Sequence, residues 1–321
     1  MLSKLIFYLR CSRYYTLPMT FFSWIIVFCY SLKHNGNTLY GILALFGIMC
    51  SHLATNLFDD ICDYKKLTKS YNNGIILPNT QRGKCQYFID KTLSNKQAKL
   101  LFLSYCLISF IIGLFFFFVY GQMIFLFMIL GLMIILSYSA LSYNNMSELA
   151  VGFAFGPLLF SGVYYVMTGD FNINPIILSL PSAIFTVNLL YTDTFLDKDI
   201  DKNENKHTLV NILGGGKKAL LFQKILLSFG YISVALLIYY KLVKLTALAV
   251  LITLPFTVDL IKSMNLYYMN KTIIPKKKWY HFPFEDWHDI KEHRSATFMF
   301  RMYQARNLMM YVSLFICFST I

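Results

Sequence analysis

The chain has 321 residues, of which 57% are hydrophobic and 14% are charged. A soluble protein of this size could not bury so much apolar surface, so the composition excludes a large soluble domain. The net charge is +13, but the basic residues lie between apolar runs, which argues against a nucleic-acid surface. The seven cysteines are odd in number and irregularly spaced, and they predict neither a disulfide framework nor a CxxC metal site.

The N-terminal segment, residues 1–16, is basic and its apolar residues are interrupted by polar ones. It lacks the uninterrupted apolar core and the small-residue cleavage site of a signal peptide. We therefore expect an amphipathic leader helix on the membrane surface.

Nine apolar runs follow, each near the roughly 20 residues that a membrane-spanning helix needs. They cover residues 17–32, 38–58, 100–120, 123–140, 149–168, 176–195, 219–240, 242–261 and 299–319. The pattern predicts an all-α fold, a multi-pass transmembrane bundle of about nine helices. We expect residues 1–321 to form a single domain.

The segments between the runs alternate in length and charge. Those at 60–99, 196–218 and 262–298 are long and rich in lysine and arginine, whereas the others are short. Basic loops stay on the cytoplasmic side of a membrane. Nine spans with a cytoplasmic N-terminus place all three long loops on that side.

The second and sixth runs resemble each other. Each ends in an acidic cluster, and each is followed by a basic loop. This weak internal repeat predicts two four-helix blocks plus one further helix, arranged around a central cavity. The two acidic helix ends would then meet at one site.

Within each cluster the polar residues share one helix face. The spacing is i, i+4, i+7 in the first cluster and i, i+4, i+8 in the second, for Asn56, Asp60 and Asp63 and for Asp193, Asp197 and Asp201. Facing carboxylates repel each other unless cations lie between them, and Mg²⁺ favours carboxylate and amide oxygens. We expect these six residues to be metal ligands, and Asp60, Asp63, Asp197 and Asp201 to be catalytic.

Basic residues near the acids would bind phosphate groups held by the same metal. The candidates are Lys65, Arg82, Lys202 and Lys206. Two alternatives remain open: the acids could be solvated helix ends with local ion pairs such as Lys198 with Asp201, and the basic residues could serve topology alone.

Several motifs resemble the UbiA superfamily of membrane prenyltransferases. The segments are RYYTLP at 13–18, NLFDDICDYKK at 56–66, RG at 82–83 followed by LSNKQA at 93–98, and DxxxDxxxxKHTL at 197–209. Within that superfamily, SELAVGFAFGPLLFSGVYYVMTG at 147–169 is most similar to the branch that prenylates 1,4-dihydroxy-2-naphthoate in menaquinone synthesis.

This resemblance implies Mg²⁺-dependent transfer of a prenyl group from an allylic polyprenyl diphosphate to an aromatic acceptor. It also implies a bacterial inner-membrane protein whose partners are these two substrates and membrane lipid. Another acceptor, such as hydroxybenzoate, homogentisate or a tetrapyrrole, remains open. In a different class, so does a cation-coupled transporter. The sequence lacks the DGxxAR pattern of a CDP-alcohol phosphotransferase.

Overall fold

The computed structural model of the chain describes residues 2–72, 85–203, 206–269, 278–283 and 296–321. Its α-helices are α1 (Leu2–Cys11), α2 (Pro18–Lys33), α3 (Thr38–Asn72), α4 (Gln86–Ile89), α5 (Asn95–Tyr120), α6 (Gln122–Ser142), α7 (Ser147–Phe153), α8 (Leu159–Thr168), α9 (Asn174–Leu178), α10 (Leu180–Leu196), α11 (Lys198–Asn203), α12 (Leu209–Ile212), α13 (Lys217–Tyr239), α14 (Leu254–Tyr268) and α15 (Ala296–Thr320). A π-helical turn (Ala154–Leu158) joins α7 to α8. The described residues also form three 3₁₀ stretches (Tyr14–Thr16, Leu245–Thr253 and Trp279–His281).

Nine helical columns of spanning length are present in the described part of the chain, as the apolar runs predict. By length and hydropathy alone, seven helical stretches of the described residues could each cross a membrane. The two columns outside this group, α10 and α15, carry fully buried polar side chains such as Asn188 and Asn307. They lie in the middle of the bundle, where a polar side chain contacts protein and is hidden from lipid. The prediction of a multi-pass helical membrane bundle is confirmed.

Two of the predicted loops are more helical than the hydropathy indicated. Helix α3 continues to Asn72, so Asp60 and Asp63 lie on a helix and not at the start of a 60–99 loop. Its 35 residues make it about 52 Å long at 1.5 Å per residue, well beyond a hydrocarbon core of about 30 Å. The excess length projects from the membrane, where charged residues are no obstacle to a helix. The 196–218 segment likewise contains α11 and α12.

The span that joins α7 to α8 is interrupted at its centre. Gly156 has non-helical backbone angles (φ −105°, ψ −111°), and Pro157 follows it. A Cβ on Gly156 would lie 2.8 Å from the Cβ of Ala183, so glycine is needed for the close approach of α10. π-Helical turns of this kind occur often at functional sites.

Helix–helix contacts join the early columns of the chain to the late ones. Helix α3 packs against α5 and α6, and α10 packs against α13 and α7. Helix α15 contacts α2, α10 and the 3₁₀ stretch Leu245–Thr253, so it joins the beginning of the chain to its second half. Among the described residues, a large cavity lies between α2, α3, α5, α6, α8, α10 and α15.

The contact between α13 and α10 depends on a glycine. A Cβ on Gly230 would lie 2.7 Å from Cε2 of Phe185, whose ring is fully buried against Tyr231. We expect Gly230→Val to lower the free energy of unfolding by about 1–3 kcal/mol because the added side chain would force the buried ring to shift. Thermal unfolding in detergent measures the change. Gly131→Ala is the control, since a Cβ there meets no atom within 4 Å, and equal losses in both variants would contradict the packing argument.

Candidate functional site

The first acidic cluster, called the first stack below, lies in the C-terminal half of α3 and is buried. Asn56, Asp59, Asp60 and Asp63 are each less than a tenth exposed. Uncompensated carboxylates in such surroundings would be strongly destabilising. Their counter-charges come from segments distant in the chain.

Arg13 is the first of these counter-charges. Its Nη2 lies 3.0 Å from Oδ2 of Asp59 and 3.1 Å from Oδ1 of Asp60, and it donates a hydrogen bond to the backbone carbonyl of Asn56. The backbone at Arg13 is left-handed (φ 55°, ψ 47°), which turns the chain between α1 and α2 toward α3. Burial disfavours the charged guanidinium, but the Asp60 and Asp59 carboxylates outweigh burial and raise the pKa of Arg13 well above its ordinary value.

Two tyrosines complete the surroundings of the first stack. The Tyr87 hydroxyl of α4 donates to Oδ2 of Asp60 over 3.0 Å, and the Tyr143 hydroxyl donates to Oδ1 of Asp63 over 3.2 Å. Burial and the Asp60 charge both raise the pKa of Tyr87, so this hydroxyl stays protonated and remains a donor. Each aspartate is therefore held in one orientation by groups from other elements.

The second acidic stack meets the first at Lys206. Asp197 and Asp201 are buried at the end of α10 and on α11. The Lys206 ammonium lies 3.8 Å from Oδ1 of Asp201 and 3.4 Å from Oδ2 of Asp63. One cation is thus shared by the two sequence motifs.

The position of Lys206 follows from backbone contacts around it. Its N–H donates to the carbonyl of Asp201, and the N–H of His207 donates to the carbonyl of Tyr143 at the end of α6. Thr208 then caps α12 by accepting a hydrogen bond from the N–H of Asn211. The ammonium lies 5.1 Å from the centre of the Tyr143 ring, so that tyrosine contacts both Asp63 and the lysine.

Next to these charges is the large cavity, with a volume of about 1170 Å³. Its polar end includes Asn56, Asp60, Asp193, Asp201 and Lys206. Its other walls are apolar residues of α5, α6 and α8, such as Ile112, Phe116, Ile124, Phe127, Leu159 and Val163. The cavity can hold a molecule that is charged at one end and apolar over most of its length.

The predicted residues differ in their relation to this cavity. Asp63 and Asp197 are buried beside it, although neither is among the described residues that line it. Lys65 and Lys202 are exposed and are also absent from that lining. Arg82 lies outside the described residues. The interpretation of Lys65 and Lys202 as phosphate ligands therefore gains no support from the geometry.

Several site residues were not predicted as such. Arg13 belongs to the RYYTLP motif at 13–18, but nothing in the sequence indicates that it pairs with Asp59. Tyr87 and Tyr143 are two of 23 tyrosines and carry no distinguishing signal. His52 could have been found from the sequence, since it is an ionisable residue four positions before Asn56 on the same face of an apolar helix.

The donor set fits a hard divalent cation. Carboxylates and one amide oxygen are ligands that Mg²⁺ prefers. Among the described residues, no three Asp, Glu, His or Cys side chains form a ready-made metal cage. Mg²⁺ commonly binds one or two carboxylates together with the phosphate oxygens of a substrate, and this arrangement suits such shared binding.

The role of Arg13 leads to a stability prediction. Arg13→Gln removes the cation that two buried carboxylates share, so we expect the free energy of unfolding to fall by about 3 kcal/mol in metal-free buffer. Thermal or denaturant unfolding in detergent measures this. Arg10→Gln, at an exposed position of α1, is the control and should change stability little. Adding Asp59→Asn to Arg13→Gln should recover part of the loss; no recovery would contradict the pairing of Arg13 with Asp59.

Comparisons with known proteins agree with this architecture. The profile of the UbiA prenyltransferase family matches residues 16–280. No curated protein matches the sequence.

Three solved structures are similar over almost the whole chain. A digeranylgeranylglyceryl phosphate synthase is 17% identical, covers 99% of each chain and has a TM-score of 0.59. A UbiA homologue from Aeropyrum pernix K1, in its apo form, is 15% identical over 92% of this chain and 96% of that one, with a TM-score of 0.61. A UbiA homologue from Archaeoglobus fulgidus bound to GPP and Mg²⁺ is 13% identical over 97% and 99%, with a TM-score of 0.60. At these identities the structures establish a shared fold, whereas the family profile spans most of the chain: the protein belongs to the UbiA prenyltransferase family and is an integral membrane prenyltransferase.

Proposed function

We propose that the protein transfers a prenyl group from an allylic polyprenyl diphosphate to 1,4-dihydroxy-2-naphthoate. The observation that carries this proposal is the convergence of both acidic motifs on Lys206 at the polar end of a large apolar cavity. A prenyl diphosphate has the same polarity, with a compact anion at one end and a hydrocarbon chain at the other.

The diphosphate would bind at the polar end. Asn56, Asp60 and Asp63 on one side, and Asp193, Asp197 and Asp201 on the other, are the residues proposed to hold Mg²⁺; the Archaeoglobus relative that binds GPP and Mg²⁺ supports this choice. When bound, Mg²⁺ would neutralise the departing diphosphate. Lys206 and Arg13 are the protein cations positioned to orient the diphosphate and to stabilise its added charge.

The apolar part of the cavity would hold the prenyl chain and exclude water. Residues such as Ile112, Phe116, Ile124 and Phe127 surround that part. An allylic cation formed there would be shielded from hydrolysis, and nearby aromatic faces would stabilise it. The bond from the prenyl carbon to the diphosphate oxygen would break first, and the diphosphate would leave with the bonding electrons. The acceptor ring would then form the new carbon–carbon bond to the allylic cation. The ring then loses a proton, or CO₂ if substitution occurs at its carboxylated carbon.

The proposal of the acceptor rests on the sequence, because the fold alone does not distinguish between acceptors. The segment at 147–169 resembles the naphthoate branch, and its FGP motif forms the π-helical turn beside the cavity. Phe155 of this motif lines the cavity. The charge asymmetry of the loops supports a bacterial inner-membrane orientation with the polar end in the cytoplasm.

The direct experiment is an activity assay on membranes that contain the protein. Membranes are incubated with Mg²⁺, labelled allylic polyprenyl diphosphates and a panel of aromatic acceptors, and prenylated products are separated. We expect a product with 1,4-dihydroxy-2-naphthoate. A product with hydroxybenzoate or homogentisate alone would overturn the acceptor, whereas no product with any acceptor would overturn the proposed reaction.

The acidic stacks can be tested one at a time. Asp60→Asn and Asp201→Asn each remove one carboxylate charge and keep the size of the side chain, so we expect turnover to fall at least 100-fold, about 3 kcal/mol of transition-state stabilisation. Asp170→Asn, an exposed aspartate outside both motifs, is the control. Turnover within threefold of wild type in either stack variant would remove that stack from the active site.

The two lysines of the second motif should differ. Lys206 lies at the cavity and Lys202 is exposed, so Lys206→Met should raise the donor KM or lower kcat/KM at least tenfold while Lys202→Met changes either value less than threefold. Steady-state kinetics with varied donor concentration measures both. Equal effects would mean that the diphosphate binds elsewhere on the loop.

A further inference from the structure

His52 is an ionisable residue inside a membrane-spanning helix. It lies one turn from Asn56 on the face of α3 that also carries Asp60, and it is among the residues that line the cavity. Ionisable residues within membrane spans are rare and usually have a function. The acidic motifs leave His52 without a role.

Both ring nitrogens of His52 are hydrogen-bonded to threonines. Nε2 lies 3.1 Å from Oγ1 of Thr16, and Nδ1 lies 2.7 Å from Oγ1 of Thr20. The ring also makes an edge-to-face contact with Phe155, with 5.1 Å between the ring centres. The imidazole is therefore fixed in position by α2, by the 3₁₀ turn before it and by the π-helical turn.

The neighbours of Thr16 determine where the protons lie. The Thr16 hydroxyl donates its one proton to the backbone carbonyl of Arg13 over 2.8 Å, so its oxygen accepts from every other partner. Those partners are Nδ2 of Asn56, at 2.9 Å, and Nε2 of His52. Nε2 of His52 therefore carries a proton and donates it to Thr16. In the neutral Nε2–H tautomer, Nδ1 would accept the hydroxyl proton of Thr20.

The same network orients the amide of Asn56. Its Nδ2 also donates to the backbone carbonyl of Ser12 over 3.2 Å, and a carbonyl can only accept. Both amide hydrogens are therefore directed at the N-terminal segment. Oδ1 is directed away from that segment, and no described residue donates a hydrogen bond to it.

We propose that His52 and Thr16 are positioning residues that hold Asn56 with its amide oxygen toward the divalent-cation site. This inference rests on the proposed function, since it assigns the metal to the first stack. The Nε2–H of His52 supports the Thr16 oxygen, and that oxygen fixes the rotation of the amide. Outer-shell partners of this kind change metal affinity by about 10- to 100-fold when removed.

The test uses the purified full-length protein in detergent, without prenyl substrates. Its melting temperature is followed as Mg²⁺ is added in the presence of inorganic pyrophosphate. Thr16→Val keeps the shape but removes the hydroxyl, so the Mg²⁺ concentration at half-maximal stabilisation should rise at least about tenfold. Thr16→Ser restores the hydroxyl and should stay within about twofold of wild type. Thr168→Val, at a threonine outside the cavity lining, is the control.

His52→Phe tests the second member of the pair. Phenylalanine keeps a ring against Phe155 but cannot donate to Thr16, so the Mg²⁺ midpoint should rise about three- to tenfold. If Thr16→Val does not fold, as judged from its melting temperature without metal, His52→Phe alone tests the inference. An unchanged midpoint in the folded variants, or equal shifts in Thr16→Val and Thr16→Ser, would overturn the positioning role alone. If wild type shows no Mg²⁺-dependent stabilisation, both this inference and the proposed metal site fail.

Discussion

The structure depends on compensating buried carboxylates at one end of a membrane bundle. Asp60 is fully buried, and Asp59, Asp63, Asp197 and Asp201 are nearly so. In a low-dielectric interior each unpaired charge would cost several kcal/mol, so the cations near them are part of the fold. Arg13 and Lys206 supply this charge, and each comes from a segment outside the helices that carry the acids.

This constraint accounts for the course of the chain near the site. The left-handed turn at Arg13 directs the N-terminal segment onto α3, and the pairing of His207 with Tyr143 directs the segment after α11 onto the end of α6. Both segments bring a cation and backbone hydrogen-bonding groups to the same place. A site built in this way places paired charges at the edge of an apolar cavity.

In a second polar region, away from the charged end of the cavity, polar groups are again paired with partners from other segments. Asn307 of α15 donates to the carbonyls of His281 and Pro283 over 2.6 Å each, and Lys278 pairs with Asp259 of α14 at 2.6 Å. These contacts hold residues 278–283 against two helices of the bundle. They explain why α15 is less apolar than a lipid-facing helix, since its polar groups bind a chain segment and do not meet lipid.

The sequence alone determined the class of the protein, its approximate number of spans and the faces that carry the acids. These features repeat locally: a run of about 20 apolar residues or an i, i+4 spacing is visible without knowing what lies nearby. The continuation of α3 to Asn72 was not predicted, because hydropathy marks where a helix leaves the membrane and not where it ends.

Only the tertiary structure decided which cations serve which acids. Lys202 and Lys206 are four residues apart in the same motif, yet one is exposed and the other lies between Asp63 and Asp201. Arg13 is 46 residues from Asp59, and Tyr143 is 80 residues from Asp63. Such pairings depend on how helices pack across the bundle. No local spacing encodes them, and so the orientation of Asn56 by Thr16 and His52 became apparent only in three dimensions.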